Sequence, residues 1–486
     1  MRIYVVINTV GIILRYVALI MLLPVIFALF YKEYSSILPF LTGFLVSLGL
    51  GGLFSLNKAS EKDIDTINKA EALATAFFSW VLFALVCSIP YLFYNLGVVN
   101  SLFEAVSGVS TTGATIINDF SLYPKTFFFY RSMTQWFGGM GIIVLFIAIL
   151  PKFSVAGRQM FFAESPNPVE EKVTPRIRHT ASWLWAIYVG LTVLQIIILK
   201  FAGLDFFHSI CTSFSTVGAG GFSSNADSTI GYGSNFITVI IMIFAFLAGT
   251  NFIILYKFFI QGKFKAPFKS EEFLTYLSVV LILGGLISLS LCLNSGYAPK
   301  DGIIAGLFQT ISIMTSTGFA SVDFAAWDFS SKLLLFMAMF VSASAISACG
   351  GLKITRWIFV FKYIKRELNK IMHPNGVYPI RLEGGVVNSE TAQQIMAFVV
   401  FYFALFGITA FITGFIEQNS TIAVVGSISM LGNIGPGFGA LGPMESFDSL
   451  HTATKFVFMF NMLIGRLELI PFLAILHKDL WAIKKG

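Results

Sequence analysis

Charge is scarce in this chain: 12% of its 486 residues are Asp, Glu, Lys or Arg, roughly half the ~25% of an ordinary soluble domain. With 56% of residues apolar, that shortage excludes a water-soluble globule, because so much apolar surface needs lipid. The four cysteines, Cys87, Cys211, Cys292 and Cys349, lie inside apolar segments without metal-ligand spacing, and read as small buried hydrophobes. The five histidines are scattered, and no HExxH, nucleophile elbow or GxxxxGK[ST] stretch occurs, so nothing points to an enzyme. No small-residue cleavage site follows Arg2 and its apolar run, which reads as a retained helix and not as a signal peptide.

What is present is a series of apolar stretches of 18 or more residues, each able to cross a hydrocarbon core about 30 Å thick as a helix. The alternation of an outer-membrane barrel is missing, and spanning backbone must satisfy its own hydrogen bonds, so the spans are helical. Ten crossings are expected, at 12–31, 37–56, 72–97, 128–151, 181–202, 236–260, 273–295, 332–362, 392–416 and 452–480. Net charge is +7, yet 23 of the 32 Lys and Arg sit in residues 1–2, 57–71, 152–180, 257–272, 353–390 and 478–486. By the positive-inside rule those segments and both termini face the cytoplasm, and the basic excess implies membrane topology, not nucleic-acid binding. Asp119, Asp205, Asp227, Asp323, Asp328, Glu445 and Asp448 fall on the other side, a mildly negative rim for an arriving cation.

Four intervals on the outer side are too apolar for simple loops and too short to cross: LFEAVSG (102–108), FFHSICTSFS (206–215), GLFQTISIM (306–314) and TIAVVGSISM (421–430). Such lengths read as re-entrant segments. Aligned on one serine, all four place a glycine six positions later: Ser107 and Gly113, Ser215 and Gly221, Ser312 and Gly318, Ser429 and Gly435. An apolar or small residue stands four before each serine (Phe103, Cys211, Phe308, Val425), on the same helical face. Each repeat thus holds a short helix ending in a glycine-bearing stretch, TTGA, AGGF, TGF and IGPG. The fold expected is an all-α polytopic membrane protein with four pseudo-symmetric helix, re-entrant pore loop, helix repeats around one central pore, preceded by two extra transmembrane helices. Its divisions are 1–70 (two N-terminal helices), 71–179, 180–270, 271–388 and 389–486 (pore repeats one to four).

Non-helical backbone at membrane depth is tolerated only where protein or a wet cavity surrounds it, so four equivalent stretches point at a shared axis. Glycine lets the chain approach that axis with positive φ. Rings of carbonyls then replace a cation's hydration shell, and short helices add their negative C-terminal ends. The expected filter comprises Thr111, Thr112, Gly113, Gly220, Gly221, Ser316, Thr317, Gly318, Asn433, Ile434 and Gly435. The metal site for K+ would be the backbone carbonyls of Thr112, Gly113, Gly220, Gly221, Thr317, Gly318, Ile434 and Gly435. Close helix packing is the alternative for one glycine; four in register argue against it. Pro436 cannot donate a hydrogen bond and supports an irregular strand after Gly435.

Two features lie below this filter. SASAISACGG (342–351) is a small, polar run in mid-span, read either as tight packing or as a broken helix whose unwound middle gates the cavity. Arg466 and Glu468 occur inside the tenth span; an intramembrane arginine costs about 2.5–3.5 kcal/mol and usually faces a bundle interior or wet cavity, with snorkelling as the alternative. Glu468 is two positions away and pairs elsewhere. Arg15 is placed near the cytoplasmic start of the first span, within reach of the interface.

The pattern resembles the Trk/Ktr/HKT superfamily of potassium transporters, and within it the bacterial TrkH and TrkG subunits. The likeness runs over nearly the whole chain, through SMTQWFGGMGIIVLFIAILP (132–151), TPRIR (174–178), GTNF (249–252), HPNGVYPIRLEGGVV (373–387) and IGRLE (464–468). It implies potassium uptake in a bacterial inner membrane by a homodimer with one pore per subunit. It also implies a cytoplasmic TrkA-like regulatory ring that carries the nucleotide, no tightly bound cofactor on this chain, and K+ as the transported ion. Carried over by position, Gly113, Gly221, Gly318 and Gly435 are the filter glycines. Ser342, Ser344, Ser347, Gly350 and Gly351 belong to an intramembrane gating loop, with Arg466 as its partner. The family loop is usually richer in glycine than SACGGLK, which implies a stiffer loop here. A sodium- or proton-coupled potassium symporter is the alternative, with Glu468 as the acidic group that could relay protons.

Overall fold

Apolar backbone closes its hydrogen bonds internally as helix, and the computed structural model is built almost wholly that way. It describes residues 1–56, 59–60, 63–64, 66–141, 177–467 and 472. The helices are α1 (Ile3–Ile20), α2 (Leu22–Tyr31), α3 (Ile37–Phe54), α4 (Lys69–Leu92), α5 (Val98–Val109), α6 (Lys125–Gly139), α7 (Ile177–Phe201), α8 (Phe206–Val217) and α9 (Asn235–Ala248). They continue with α10 (Phe252–Phe259), a single unnumbered turn at Ala266–Lys269, α11 (Glu271–Asn294), α12 (Pro299–Met314), α13 (Phe329–Ala338), α14 (Ile354–Met372), α15 (Ser389–Glu417), α16 (Ser427–Leu431) and α17 (Thr452–Leu467). A π-helical turn, Ile422–Gly426, leads into α16. The strands among the described residues are β1 (Arg381–Leu382) and β2 (Gly385–Val386), an antiparallel pair after α14.

Helix starts are set by side chains that satisfy the free N–H groups of a first turn. Asn68 and Glu71 form a reciprocal capping box on α4, and Arg2 ties the chain's start to that Glu71 carboxylate at 2.9 Å. Asp205, Ser234, Asn251, Ser270, Asp328 and Asn388 cap α8, α9, α10, α11, α13 and α15. Outward faces are apolar: Phe201 is 89% exposed, and Phe411 and Phe415 on α15 are 76% and 75%, as expected of surface that meets lipid.

Six described helices are long and apolar enough to cross a membrane, seven if one bent pair is a single span. This is a multi-pass membrane protein. The first apolar helix begins at Ile3, nine residues before the expected start, so Arg15 is not at its beginning; the Arg15 side chain instead lies against Gly51 near the end of α3. The expected continuous span 236–260 is broken: α9 and α10 meet at 106°. Its cause is local, since Gly249 ends α9 and the Asn251 side chain caps α10 by accepting from the Ile253 N–H at 2.9 Å. The stretch 332–362 is also divided, with non-helical residues between α13 and α14. Residues 142–151, 174–176 and Glu468 lie outside the described residues.

Candidate functional site

The four short helices α5, α8, α12 and α16 end alike. The N–H of Thr112 donates to Ser107 O, Gly220 to Ser215 O and Thr317 to Ser312 O, each at 2.9 Å, and Ile434 to Ser429 O at 2.8 Å. One residue earlier, Thr111, Ala219, Ser316 and Asn433 donate to Gly108, Thr216, Ile313 and Met430 at 3.0–3.2 Å. This paired closure is a Schellman cap, which requires its first non-helical residue to be left-handed. Thr111, Ala219, Ser316 and Asn433 have φ of 57°, 55°, 51° and 54°, and two residues on Gly113, Gly221, Gly318 and Gly435 have φ of 84°, 73°, 72° and 95°. The aligned serine therefore supplies the carbonyl that ends the helix.

The four turns meet in a closed cycle. A β-carbon on Gly113 would collide with Gly220 O, one on Gly221 with Thr317 O, one on Gly318 with Ile434 O, and one on Gly435 with Thr112 O. Each turn thus presses its glycine against the carbonyl of the next, and the fourth returns to the first. Gly113, Gly221 and Gly318 are partly accessible, while Gly435 and Thr111, Thr112, Gly220, Ser316, Thr317, Asn433 and Ile434 are buried, so the ring is accessible at three of its four glycines. Four helix C-termini, each about half a negative charge, end at this ring.

Beneath it lies the segment between α13 and α14. The Gly350 N–H donates to Ser316 Oγ at 3.0 Å, and Gly350 leaves no room for a side chain beside Asn433, whose amide bridges Thr112 Oγ1 (3.0 Å) and Met462 O (2.8 Å). Ser342 Oγ donates to Gly350 O and Ser347 Oγ to Ser344 O (2.6 Å); Ser344 Oγ is buried without a partner among the described residues. Gly351 turns with φ 75°. The segment is laced into the break between α9 and α10: Ser344 N–H donates to Gly249 O, Ala348 N–H to Ala248 O, and Phe252 N–H to Ile346 O. Arg466 on α17 spans the space below, donating to Ala348 O at 2.7 Å and to Gly138 O and Gly139 O at 2.6 Å each.

Against known proteins, the model of the cation transport protein family TrkH matches residues 37–284 and 293–480. The Escherichia coli K12 protein named Trk system potassium uptake protein TrkH is 34% identical over 469 residues, 95% of each chain. The Vibrio parahaemolyticus protein of that name is 33% identical over 98% of this chain and 99% of its own, and Escherichia coli TrkG is 30% identical over 96% of each. The crystal structure of the potassium transporter TrkH from Vibrio parahaemolyticus superposes with a TM-score of 0.88 at 31% identity, covering 99% of this chain and all of that one.

The chain belongs to the TrkH family. That makes it a member of a cation transport family, and its helical membrane architecture matches that of the solved TrkH.

Several residues of this TrkH-family site carry no local mark in the sequence. Ala219 holds the same left-handed position as Thr111, Ser316 and Asn433, yet alanine is an unusual choice there; only the serine four positions earlier gives it away. Glu272, 4% exposed, accepts from the Ala345 N–H and Thr355 Oγ1 at 2.5 Å each and from Asn251 Nδ2 at 3.1 Å, so one carboxylate holds the segment between α13 and α14, α14 itself and the α10 cap together. Gln135 and the Arg131–Glu104 pair stand behind the ring. Glu104 and Glu272 are buried acids that the span reading passed over, and both are saturated by donors.

Proposed function

We propose that this chain carries potassium into a bacterial cell across the inner membrane, down its electrochemical gradient, through one channel-like pore per subunit. The carbonyls of Thr112, Gly220, Thr317 and Ile434, with those of the adjoining glycines, replace the ion's water, and the segment 342–351 with Arg466 gates the path below. The names borne by the relatives favour potassium as the cargo. The observation that carries the reading is the closed cycle in which each glycine abuts the neighbouring turn's carbonyl. Both termini face the cytoplasm, two such chains form the working dimer, and a cytoplasmic nucleotide-binding ring of the TrkA kind governs opening. The four pore repeats divide the chain at 71–179, 180–270, 271–388 and 389–486, after the N-terminal pair of helices in 1–70.

Gly113→Ser and Gly318→Ser test this. Each puts a β-carbon into a neighbouring carbonyl at a left-handed φ that costs an L-residue about 1–2 kcal/mol, so the ring must open. The potassium-to-sodium permeability ratio from bi-ionic reversal potentials in liposomes should fall about tenfold, the equivalent of 1.4 kcal/mol. An unchanged ratio in both folded variants would contradict the filter.

A further inference from the structure

The four turns are not braced in the same way. In the first, Thr112 Oγ1 bonds Ser110 Oγ at 2.8 Å, and in the third, Thr317 Oγ1 bonds Thr315 Oγ1 at 2.7 Å. Each hydroxyl pair ties the residue before the glycine back to its helix end. The fourth turn uses bulk instead: Ile434 Cδ1 lies 3.0 Å from where a Gly432 β-carbon would stand. The second turn has glycine at both equivalent positions, Gly218 and Gly220, and can do neither.

Gln135 of α6, fully buried, occupies that place. Its Nε2 donates to Gly220 O at 2.6 Å and its Oε1 accepts from the Phe222 N–H at 2.9 Å. The amide thus grips the backbone on both sides of Gly221. A β-carbon on Gly220 would run into Gln135 Cδ and come within 2.8 Å of Cγ. Gly220 does not have positive φ, so its lack of a side chain reflects the glutamine and not a backbone constraint. The helix carrying Gln135 approaches so closely that a Gly218 β-carbon would stand 2.8 Å from Gln135 O.

We infer that Gln135 is a specificity-determining positioning residue: a side chain from the first repeat that substitutes for the missing one in the second and sets the position of the Gly220 carbonyl in the ring. This rests on the filter reading above. A bidentate amide holds one carbonyl at a fixed radius from the axis, and preference between two cations of different size depends on that radius and on the field of the donors.

The test uses the whole protein in liposomes, with Gly318→Ser alongside. Gln135→Met keeps the volume and removes both hydrogen bonds; it should lower the potassium-to-sodium permeability ratio about fivefold to tenfold, the scale of one net hydrogen bond. Gln135→Ala should lower it at least as far. Adding Gly220→Val to Gln135→Ala recreates the Gly-X-aliphatic-Gly pattern of the fourth turn and should recover part of the lost ratio, a non-additivity reserved for groups sharing one space. If Gln135→Ala does not fold, recovery of monodisperse protein by the double variant supports the substitution and failure to recover it counts against. An unchanged ratio in Gln135→Met, with Gly318→Ser still lowering it, overturns the role of Gln135 while leaving the filter standing. A double variant worse than Gln135→Ala overturns the exchange of one side chain for another. No change in any variant, Gly318→Ser included, removes the filter itself.

Discussion

Arg131→Met is expected to destabilise the protein by about 3–5 kcal/mol, the cost of removing one member of a buried ion pair. Arg131 and Glu104 have side chains 1% and 0% exposed, with Nε and Oε1 2.7 Å apart. The guanidinium also donates to Ser223 O (3.2 Å) and Thr115 Oγ1 (2.9 Å), while Glu104 accepts from the Ile116 N–H (3.0 Å). The Phe222 ring covers the arginine at 4.1 Å. Removing the cation leaves a carboxylate without charge compensation and frees the non-helical segment that leaves the first turn. Thermal unfolding in detergent should show Arg131→Met far below the parent. Adding Glu104→Leu should restore much of the loss, because a buried pair replaced whole by apolar groups costs little. Equal stability of Arg131→Met and the parent would mean that the pair is not compensated in this way.

Arg466→Ala is expected to raise ion flux about tenfold or more. At 4 Å, two unit charges repel by about 4 kcal/mol in an effective dielectric near 20, so on the proposed pathway even a partly screened guanidinium below the ring would oppose a passing cation. The same substitution removes the bonds to Ala348, Gly138 and Gly139 that pin the segment under the ring. Lysine at 466 keeps the charge without the fork of donors and should give an intermediate flux. Tracer uptake into liposomes decides it: equal or lower flux in folded Arg466→Ala refutes the barrier role.

What the sequence made legible depended on how local the cause was. The serine-to-glycine spacing of six is set by a helix end folding back on itself within a few residues, so it repeats visibly in one dimension. The break after α9 was also local, a glycine followed by the capping Asn251, but 236–260 is apolar enough that hydropathy alone reads through it. Gln135, Arg131 and Glu272 were out of reach for a different reason: each acts on backbone from another repeat or another helix, 85, 92 and 73 residues away at Gly220, Ser223 and Ala345. Ala219 escaped because the left-handed position calls for glycine or asparagine by preference, and alanine holds it here through the same helix-end closure as its counterparts.

Rubidium or thallium soaked into crystals of the protein in place of potassium would locate the ion by anomalous scattering. The account predicts a peak on the axis enclosed by the carbonyls of Thr112, Gly220, Thr317 and Ile434. Ordered ions found elsewhere, with that axis vacant at saturating concentration, would contradict it.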